Sequence, residues 1–517
     1  MRTSIVVLSV LALLPARATP QSPDLSTALR WRTIGPFRAG RARALAAAPG
    51  RPTVFYIGFD NGGLWRSSDY GSNWEPLFDR EATGSIGAIA VAPSAPNTLY
   101  VGSGAGIIRP DLATGNGMYK STDTGRTWTH LGLEQTQMIA MVDVDPTNPD
   151  RVFVAALGHP YGPNAERGIY RSIDGGRTFD KVLYRDEYTS ANDVRIDPSN
   201  PSIVYAALWQ QQSTFYEYAA FGPDSTWPGA GGIYKSTDGG TTWTQLTNGL
   251  PPVLEANLAI APSNPQVIYA MVATVNPAGG SGPVGFYKSS DGGAHWMLRT
   301  RIPGAAVVGD TTATADPRPL GRIGGGDLPP ITVDPKNENV IYSASIVMWR
   351  TEDGGNSWSA VRGSPGGDDY QRIWIHPDDP NLILAVSDQG AVISSNRGAS
   401  WSNWYTQPTA AVYYVTAETP FPIACAAASR TRAHCVSPAV RMTERSPSTT
   451  GIRPTFRNTA SPRLTRAIPK WCSAAHAAAY RATTAAAARQ RRWGPTPRRA
   501  ATNSAATCER CRSSGRR

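Results

Sequence analysis

The sequence predicts an all-β fold, a β-propeller of about seven four-stranded blades, followed by an irregular or disordered carboxyl-terminal tail. An octet of the form Ser-x-Asp-x-Gly-x-Thr-Trp occurs seven times, at a period of about 50 residues. Between octets, short β-branched and aromatic runs alternate with turns rich in Gly, Pro and Asn. A ring of such units leaves few exposed sheet edges, which favours a propeller over an open sheet.

The octets are predicted to be structural turns. They begin at Ser67, Ser121, Ser172, Ser236, Ser289, Thr351 and Ser394. Their third residues are Asp69, Asp123, Asp174, Asp238, Asp291, Asp353 and Asn396. The hydroxyl and carboxylate can bond N–H groups of their own turn, the Gly supplies a positive φ, and the Trp fills space in the blade. Asn396 in the last octet and Phe179 in the third are expected to give less firm turns.

Each repeat divides into four strands. A Pro-x-Asn-Pro-like turn such as "DPTNP" joins the first two, and the octet joins the last two. Both short turns then lie at one end of the ring, here called the octet face. The longer connections open at the other end, the loop face, where a binding surface is expected. The long insertions assigned to it are residues 103–117, 158–168, 209–232, 274–285 and 301–330.

The amino terminus predicts export. Arg2 precedes an apolar run from Ser4 to Pro15, and Ala16-Arg17-Ala18 matches a small-x-small cleavage site. The run is too short to serve as a stable bilayer anchor. Residues 1–18 are therefore predicted to be a signal peptide, which leaves a secreted or periplasmic protein without a membrane anchor.

Residues 421–517 have a different composition from the rest of the chain. They hold 19 Lys and Arg against two acids, whereas residues 1–420 hold 31 basic and 37 acidic residues. The repeats are thus mildly acidic, and no nucleic-acid partner is predicted. All five cysteines lie in this Arg/Ala-rich tail. Because GC-rich codons read out of frame yield such a composition, we expect the tail from about residue 423 to be frameshifted and without a fold.

Aromatic residues in the predicted loops favour a polysaccharide or an extracellular peptide as the partner. The candidate ligand-binding residues are Tyr161, Trp209, Tyr216, Tyr218 and Trp227. Aromatic faces can stack on sugar rings, although the same side chains could merely pack a loop onto the ring. The six histidines show no ligand spacing, so neither a metal site nor a cofactor is predicted.

Carboxylates on the loop face are candidates for glycoside chemistry, which commonly needs two. Asp60 lies at the predicted two-to-three turn of the first blade, and Asp368 and Asp369 lie in the connector to the seventh. Adjacent carboxylates raise one another's pKa, which suits an acid. All three could also be ordinary turn or loop residues.

The octet is the Asp box of sialidase-like and sortilin-like propellers. Residues 30–420 resemble exported bacterial sortilin-like or BNR-repeat glycosyl hydrolases, related to xyloglucanase-type propellers. The resemblance rests on "WRTIGPFRAGR" (31–41), "LGHPYGPNAERGIYRS" (157–172) and "GGDDYQRIWIHPDDPNLILAVSDQGA" (366–391). The stretch "YIGFDNGGLWRSSD" (56–69) resembles the first-blade segment of xyloglucanase-type hydrolases, in which an Asp before Gly-Gly is the general base, and this resemblance implies that Asp60 is a candidate base. In xyloglucanase-type relatives the general acid comes from a second lobe, and no residue of this chain matches it.

Three function classes remain open from the sequence. The chain could be a glycoside hydrolase, a non-catalytic module that binds glycan or, as sortilin does, peptide, or a truncated inactive remnant. After seven repeats, "WYTQPTAAVYYVTAETPFP" (404–422) has the pattern of an eighth blade's beginning.

Overall fold

The computed structural model confirms the all-β propeller. It describes residues 39–107, 113–159, 163–210, 231–275, 281–301, 328–363, 369–410, 412–417, 424–429 and 434–438. Within these residues the sheets are antiparallel and the helical content is limited to short 3-10 turns. No helix in this part of the chain is long and apolar enough to cross a membrane.

Seven blades follow one another along the chain, each running outward from its first strand. Blade 1 comprises β1 Ala42–Ala47, β2 Phe55–Phe59, β3 Leu64–Ser67 and β4 Glu75–Pro76. Blade 2 comprises β5 Ile86–Val91, β6 Leu99–Ser103, β7 Met118–Ser121 and β8 Thr129–Gly132. Blade 3 comprises β9 Ile139–Val144, β10 Val152–Ala156, β11 Gly168–Ser172 and β12 Asp180–Leu183. Blades 4 and 5 comprise β13 Thr189–Ile196, β14 Val204–Gln210, β15 Gly232–Ser236, β16 Thr244–Leu246; β17 Val253–Ile260, β18 Ile268–Val275, β19 Ser281–Ser289, β20 Met297–Arg301. Blades 6 and 7 comprise β21 Ile331–Asp334, β22 Asn337–Ala344, β23 Met348–Thr351, β24 Ser359–Arg362; β25 Tyr370–Ile375, β26 Ile383–Ser387, β27 Gly390–Ser394.

Seven blades close the ring without an eighth. The first strand of each blade packs against that of the next, and β25 of blade 7 packs against β1. A buried apolar cluster fills each of the seven junctions, and the closing one combines Phe55 and Ile57 of blade 1 with Leu384 and Val386 of blade 7. The core is therefore divided among the junctions, and burial of apolar surface between blades holds the ring together.

Three further strands follow blade 7. They are β28 Val412–Ala417, β29 Ala424–Ser429 and β30 His434–Pro438, paired in an antiparallel sheet of their own. The strand pattern of the chain thus continues beyond the closed ring.

The octets form the predicted turns between third and fourth strands. In blade 4, the Ser236 hydroxyl donates to Asp238 Oδ1 at 2.8 Å and accepts from the Gly240 N–H at 2.8 Å. The Asp238 carboxylate accepts from the N–H and the hydroxyl of Thr242 at 2.9 and 2.6 Å. The Asn396 octet retains this scheme, with its side-chain oxygen accepting from the Ser400 N–H at 2.8 Å. The turn is thus specified by contacts within four residues of sequence.

The same contacts hold the octet carboxylates in their ionised form. Hydrogen bonds from the side chain and the N–H of Thr127 lower the pKa of Asp123 to about 2. Because its pKa is depressed in the folded state, Asp123 contributes stability above the pKa of an unfolded aspartate, and this contribution is lost as the pH falls toward 2.

Replacing Ser236 by Ala is expected to lower the free energy of unfolding by about 1–3 kcal/mol, because the buried Gly240 N–H loses its acceptor. Chemical denaturation followed by tryptophan fluorescence measures the change. The matched control is Thr237→Ala, an exposed hydroxyl of the same turn. Equal, small effects of the two substitutions would show that the turn does not depend on the Ser236 hydroxyl.

The outer edge of blade 7 is completed by side chains. Ser402 pairs with Ile393 through its backbone N–H and its hydroxyl, at 2.7 and 2.9 Å. The buried carboxamide of Gln407 then bonds both the N–H and the carbonyl oxygen of Ala391, each at 2.8 Å. Gln407 thus substitutes for the backbone of a fourth strand, which leaves this part of the edge satisfied.

Candidate functional site

The loop face contains the two-to-three turns and the four-to-one connectors, as the sequence predicts. Six of the seven first strands carry an irregularity at the end nearest this face. The extra residues are Arg43, Gly87, Ala140, Asn192, Leu254 and Gln371. A bulge changes the direction in which a side chain points. The Arg43 guanidinium of blade 1 accordingly donates to Gln371 Oε1 of blade 7 at 2.5 Å and to the Gly106 carbonyl oxygen of blade 2 at 3.0 Å.

The described residues enclose a small cavity at the centre of the ring. A cavity of about 30 Å³ is lined by residues that include Arg43, Asn192, Trp209, Glu255 and Arg372. Its volume has room for about two water molecules. The Arg372 guanidinium donates to the Ala140 carbonyl oxygen at 2.8 Å, from blade 7 to blade 3. A ligand the size of a sugar ring is too large for this cavity.

Burial perturbs Arg372 at this centre. Burial, together with the neighbouring positive charges of Arg43 and Arg195, lowers the pKa of Arg372 to about 9. The negative charge of Asp193 acts to raise the pKa of Arg372. The central arginine is thus stabilised by hydrogen bonding within the ring, and it belongs to the scaffold beneath the loop face.

Asp60 lies where the ring closes, in an ion-paired cluster with Arg41 and Asp388. Arg41 Nη1 is 3.4 Å from Asp60 Oδ2. The same guanidinium donates through Nε and Nη2 to the two oxygens of Asp388, at 3.0 and 3.3 Å. All three side chains are at most 10% exposed. Two carboxylates from opposite sides of the closing junction therefore share one guanidinium.

Equivalent turns position the two carboxylates. Asp60 follows the second strand of blade 1, and Asp388 follows the second strand of blade 7. The Asp60 N–H donates to the Arg41 carbonyl oxygen at 3.1 Å, which fixes the turn to the start of β1. A nearby positive charge favours the ionised form of a carboxylate. Both carboxylates thus suit a proton acceptor or an electrostatic role better than a proton donor.

Asp369 is part of the same cluster through its backbone. Its carbonyl oxygen accepts from the Asp388 N–H and from Gln371 Nε2, both at 3.2 Å. Its φ of 43° lies in the left-handed region, which is uncommon for a non-glycine residue. The structure therefore brings Asp369 next to Asp388, whereas Asp368 lies outside the described residues.

Of the five aromatic residues predicted to bind a ligand, the structure describes one, Trp209. Trp209 is partly buried and packs against Ala105, Met138 and Leu157, beside the axial cavity. Its position agrees with the packing alternative more closely than with an open stacking platform. Tyr161, Tyr216, Tyr218 and Trp227 lie outside the described residues. No group of three or more His, Cys, Asp or Glu that could hold a metal ion is found in the described part of the chain.

Sequence reasoning missed Asp388 and Arg41. The available signal was positional, because "SDQG" follows the second strand of blade 7 as "FDNGG" follows that of blade 1. Asp388 and its partner Arg41 are 347 positions apart in the sequence. Only the closure of the ring shows that they meet.

No family model matches the chain. It is 25% identical over 378 residues to xyloglucanase Xgh74A from Acetivibrio thermocellus, covering 68% of this chain and 40% of that protein. It is 23% identical over 425 residues to a probable oligoxyloglucan-reducing end-specific xyloglucanase from Neosartorya fischeri, covering 73% and 47%. The chain thus spans less than half the length of these curated relatives.

Solved structures agree on the fold. The GH74 xyloglucanase from Xanthomonas campestris superposes with a TM-score of 0.56 at 17% identity, covering 77% of this chain and 59% of that one. A GH74 enzyme from Niastella koreensis superposes with a TM-score of 0.55 at 19% identity, covering 81% and 62%. At such identities the likeness shows a common propeller fold.

Proposed function

We propose that this chain is a glycoside hydrolase of the xyloglucanase type, which binds a polysaccharide on its loop face and uses Asp60 as general base. The observation that carries the proposal is the position of Asp60, which Arg41 holds beside Asp388 on the loop face. The similarity to xyloglucanases supports the substrate class. A polysaccharide of this class lies outside the cell, which agrees with the predicted export.

In the proposed reaction, a water molecule attacks the anomeric carbon while the Asp60 carboxylate accepts its proton. The leaving glycosidic oxygen must receive a proton from a separate acid. The Arg41 guanidinium favours the ionised form of a neighbouring carboxylate, so neither Asp60 nor Asp388 is assigned as that acid. Asp60 is 6% exposed, so the attacking water approaches through this small accessible part of the carboxylate.

A non-catalytic role in polysaccharide binding is the second candidate. The burial of Asp60 and its ion pair with Arg41 favour it, because these contacts also suit a residue that closes the ring. The aromatic loops of the same face would then supply the binding surface without chemistry. The binding module and the hydrolase share a ligand and differ in whether glycosidic bonds are cut.

The test compares three soluble polymers, xyloglucan, an unsubstituted β-1,4-glucan derivative and an α-glucan. Affinity electrophoresis measures binding, and a reducing-end assay with mass spectrometry of the products measures cleavage. Binding and cleavage of xyloglucan, with little effect on the α-glucan, are expected. Binding without new reducing ends supports the binding module instead. Neither binding nor cleavage of any β-glucan would refute both candidates.

A further inference from the structure

Six of the seven blade junctions share one hydrogen bond on the octet face. The fourth residue of each octet has a positive φ, and in octets two to seven its carbonyl oxygen accepts from a side chain of the preceding blade. The donor and acceptor pairs are Arg66 and Thr124 (2.9 Å), Lys120 and Gly175 (3.3 Å), Arg171 and Gly239 (3.0 Å), Lys235 and Gly292 (2.7 Å), Arg299 and Gly354 (3.3 Å), and Tyr342 and Arg397 (3.5 Å). At each of these six junctions a long side chain with a polar end thus extends to the octet of the next blade, and in five of the six this side chain is cationic.

Four of the six donors share one place in the blade, the next-to-last residue of the third strand, whereas Arg299 lies on a fourth strand and Tyr342 on a second. In blade 4, Lys235 on the third strand pairs in register with Tyr205 on the second, and both donate to the Gly292 carbonyl oxygen. The lysine ammonium also lies 5.4 Å from the Tyr205 ring centre. The cation is therefore held by an aromatic face and by the octet carbonyl together.

The seventh junction, from blade 7 to blade 1, has no such donor side chain among the described residues. Leu384 and Ile393 occupy the same paired register positions in β26 and β27. Neither side chain can donate a hydrogen bond. The Ile393 side chain packs on Gly71 of the first octet. The corresponding acceptor is the carbonyl oxygen of Tyr70, whose φ is 55°, and within the described residues blade 7 donates no hydrogen bond to it.

A groove of about 650 Å³ occupies this junction, here called the seam groove. It is lined by Pro52, Tyr70, His376, Asp379, Leu382, Ile393, Ser395, Ser400, Trp401 and Ser402. Tyr70 is 45% exposed. Asp379 supplies the negative charge of the lining, and none of these side chains is a lysine or an arginine. The groove therefore combines aromatic walls and a carboxylate with the backbone of an octet that elsewhere binds a cation.

We propose that the seam groove binds a lysine or arginine side chain presented by a partner polypeptide. The incoming ammonium or guanidinium takes the place that Lys235 occupies at its own junction, donating to the Tyr70 carbonyl oxygen. Asp379 complements its charge, and Tyr70 and Trp401 pack against its aliphatic stem. The site lies on the octet face, at the opposite end of the ring from Asp60.

The binding test uses a capped peptide with the sequence Gly-Ile-Tyr-Lys-Ser-Thr, taken from residues 232–237 of this chain. The matched control peptide carries Met in place of Lys. Isothermal titration calorimetry on the full chain is expected to show at least about tenfold tighter binding of the lysine peptide, because a charged donor strengthens a hydrogen bond. Equal affinities, or no binding of either peptide at millimolar concentration, would overturn the proposal.

A second test fills the groove from within. The double variant Leu384→Tyr/Ile393→Lys restores the register pair found in blade 4. It is expected to abolish binding of the lysine peptide while leaving xyloglucan binding unchanged. Unchanged peptide binding in this variant would place the site elsewhere, and loss of xyloglucan binding would identify the groove as a sugar site. Both outcomes contradict the proposal.

Asp379→Asn keeps the proposal testable if the double variant does not fold. Asp379 is exposed, so the substitution is expected to leave the fold intact and to weaken the lysine peptide several-fold without affecting the methionine peptide. Asp378→Asn is the matched control, an exposed carboxylate of the same turn that does not line the groove. Equal effects of the two substitutions would show that charge at Asp379 does not select the ligand.

Discussion

An Asp60→Asn variant is expected to lose at least about 10²-fold in the rate of polysaccharide cleavage, because an amide cannot accept the proton of the attacking water. Asparagine has nearly the same shape as aspartate, so the turn after β2 and the surrounding loops should be retained. Polysaccharide affinity is expected to change little. Initial rates of reducing-end release and affinity electrophoresis on the same preparation measure both quantities.

The matched control is Asp79→Asn, an exposed carboxylate on the connector between blades 1 and 2, which also opens on the loop face. It is expected to keep both activity and affinity. Cleavage that persists in the Asp60 variant would exclude Asp60 as the base. Parallel loss of cleavage and binding, with a lower melting temperature, would instead assign Asp60 to the closure of the ring.

Replacing Arg41 by Met is expected to destabilise the protein by roughly 3–5 kcal/mol, because it removes a cation that pairs with both of the buried carboxylates, Asp60 and Asp388. Denaturant unfolding measures the loss. A double variant with Asp388→Leu should recover part of it, since one of the two neighbouring buried carboxylates is then removed. The control is Arg51→Met, which removes an exposed arginine bonded to Asn97.

The Arg41 variant also has an expected effect on the pH dependence of cleavage. Without the guanidinium, ionisation of Asp60 is less favourable, so the carboxylate stays protonated to a higher pH. The acid limb of the rate profile should therefore move to higher pH, whereas Asp388→Asn, which removes the carboxylate that shares Arg41 with Asp60, should move it to lower pH. Shifts in the same direction for both variants would contradict an electrostatic role for this cluster.

Much of the architecture could be predicted from the sequence because the determining contacts are local. The hydroxyl, carboxylate and glycine of each octet interact within four residues, as Ser236, Asp238 and Gly240 show. The alternation of strands and short turns also predicts which end of the ring contains the long loops. Asp60 could be placed on that face for the same reason.

The contacts that close the ring could not be predicted in this way. Arg41 and Asp388 are 347 positions apart, and the role of Gln407 in completing the edge of blade 7 depends on a side chain imitating a strand. The bulge that turns Arg43 toward Gln371 has no signal in the local pattern either. The seam groove is visible only when seven junctions are compared in space.

The sequence by itself determined the repeated blade, its octet turn and the division into two faces, since short-range hydrogen bonds and strand alternation specify each unit independently. Only the tertiary structure decided that seven units suffice, that Asp60 shares a guanidinium with Asp388, and that the last junction differs from the other six. The physical reason is that closing a ring pairs its first residues with its last. Such pairs depend on the accumulated geometry of all the blades between them.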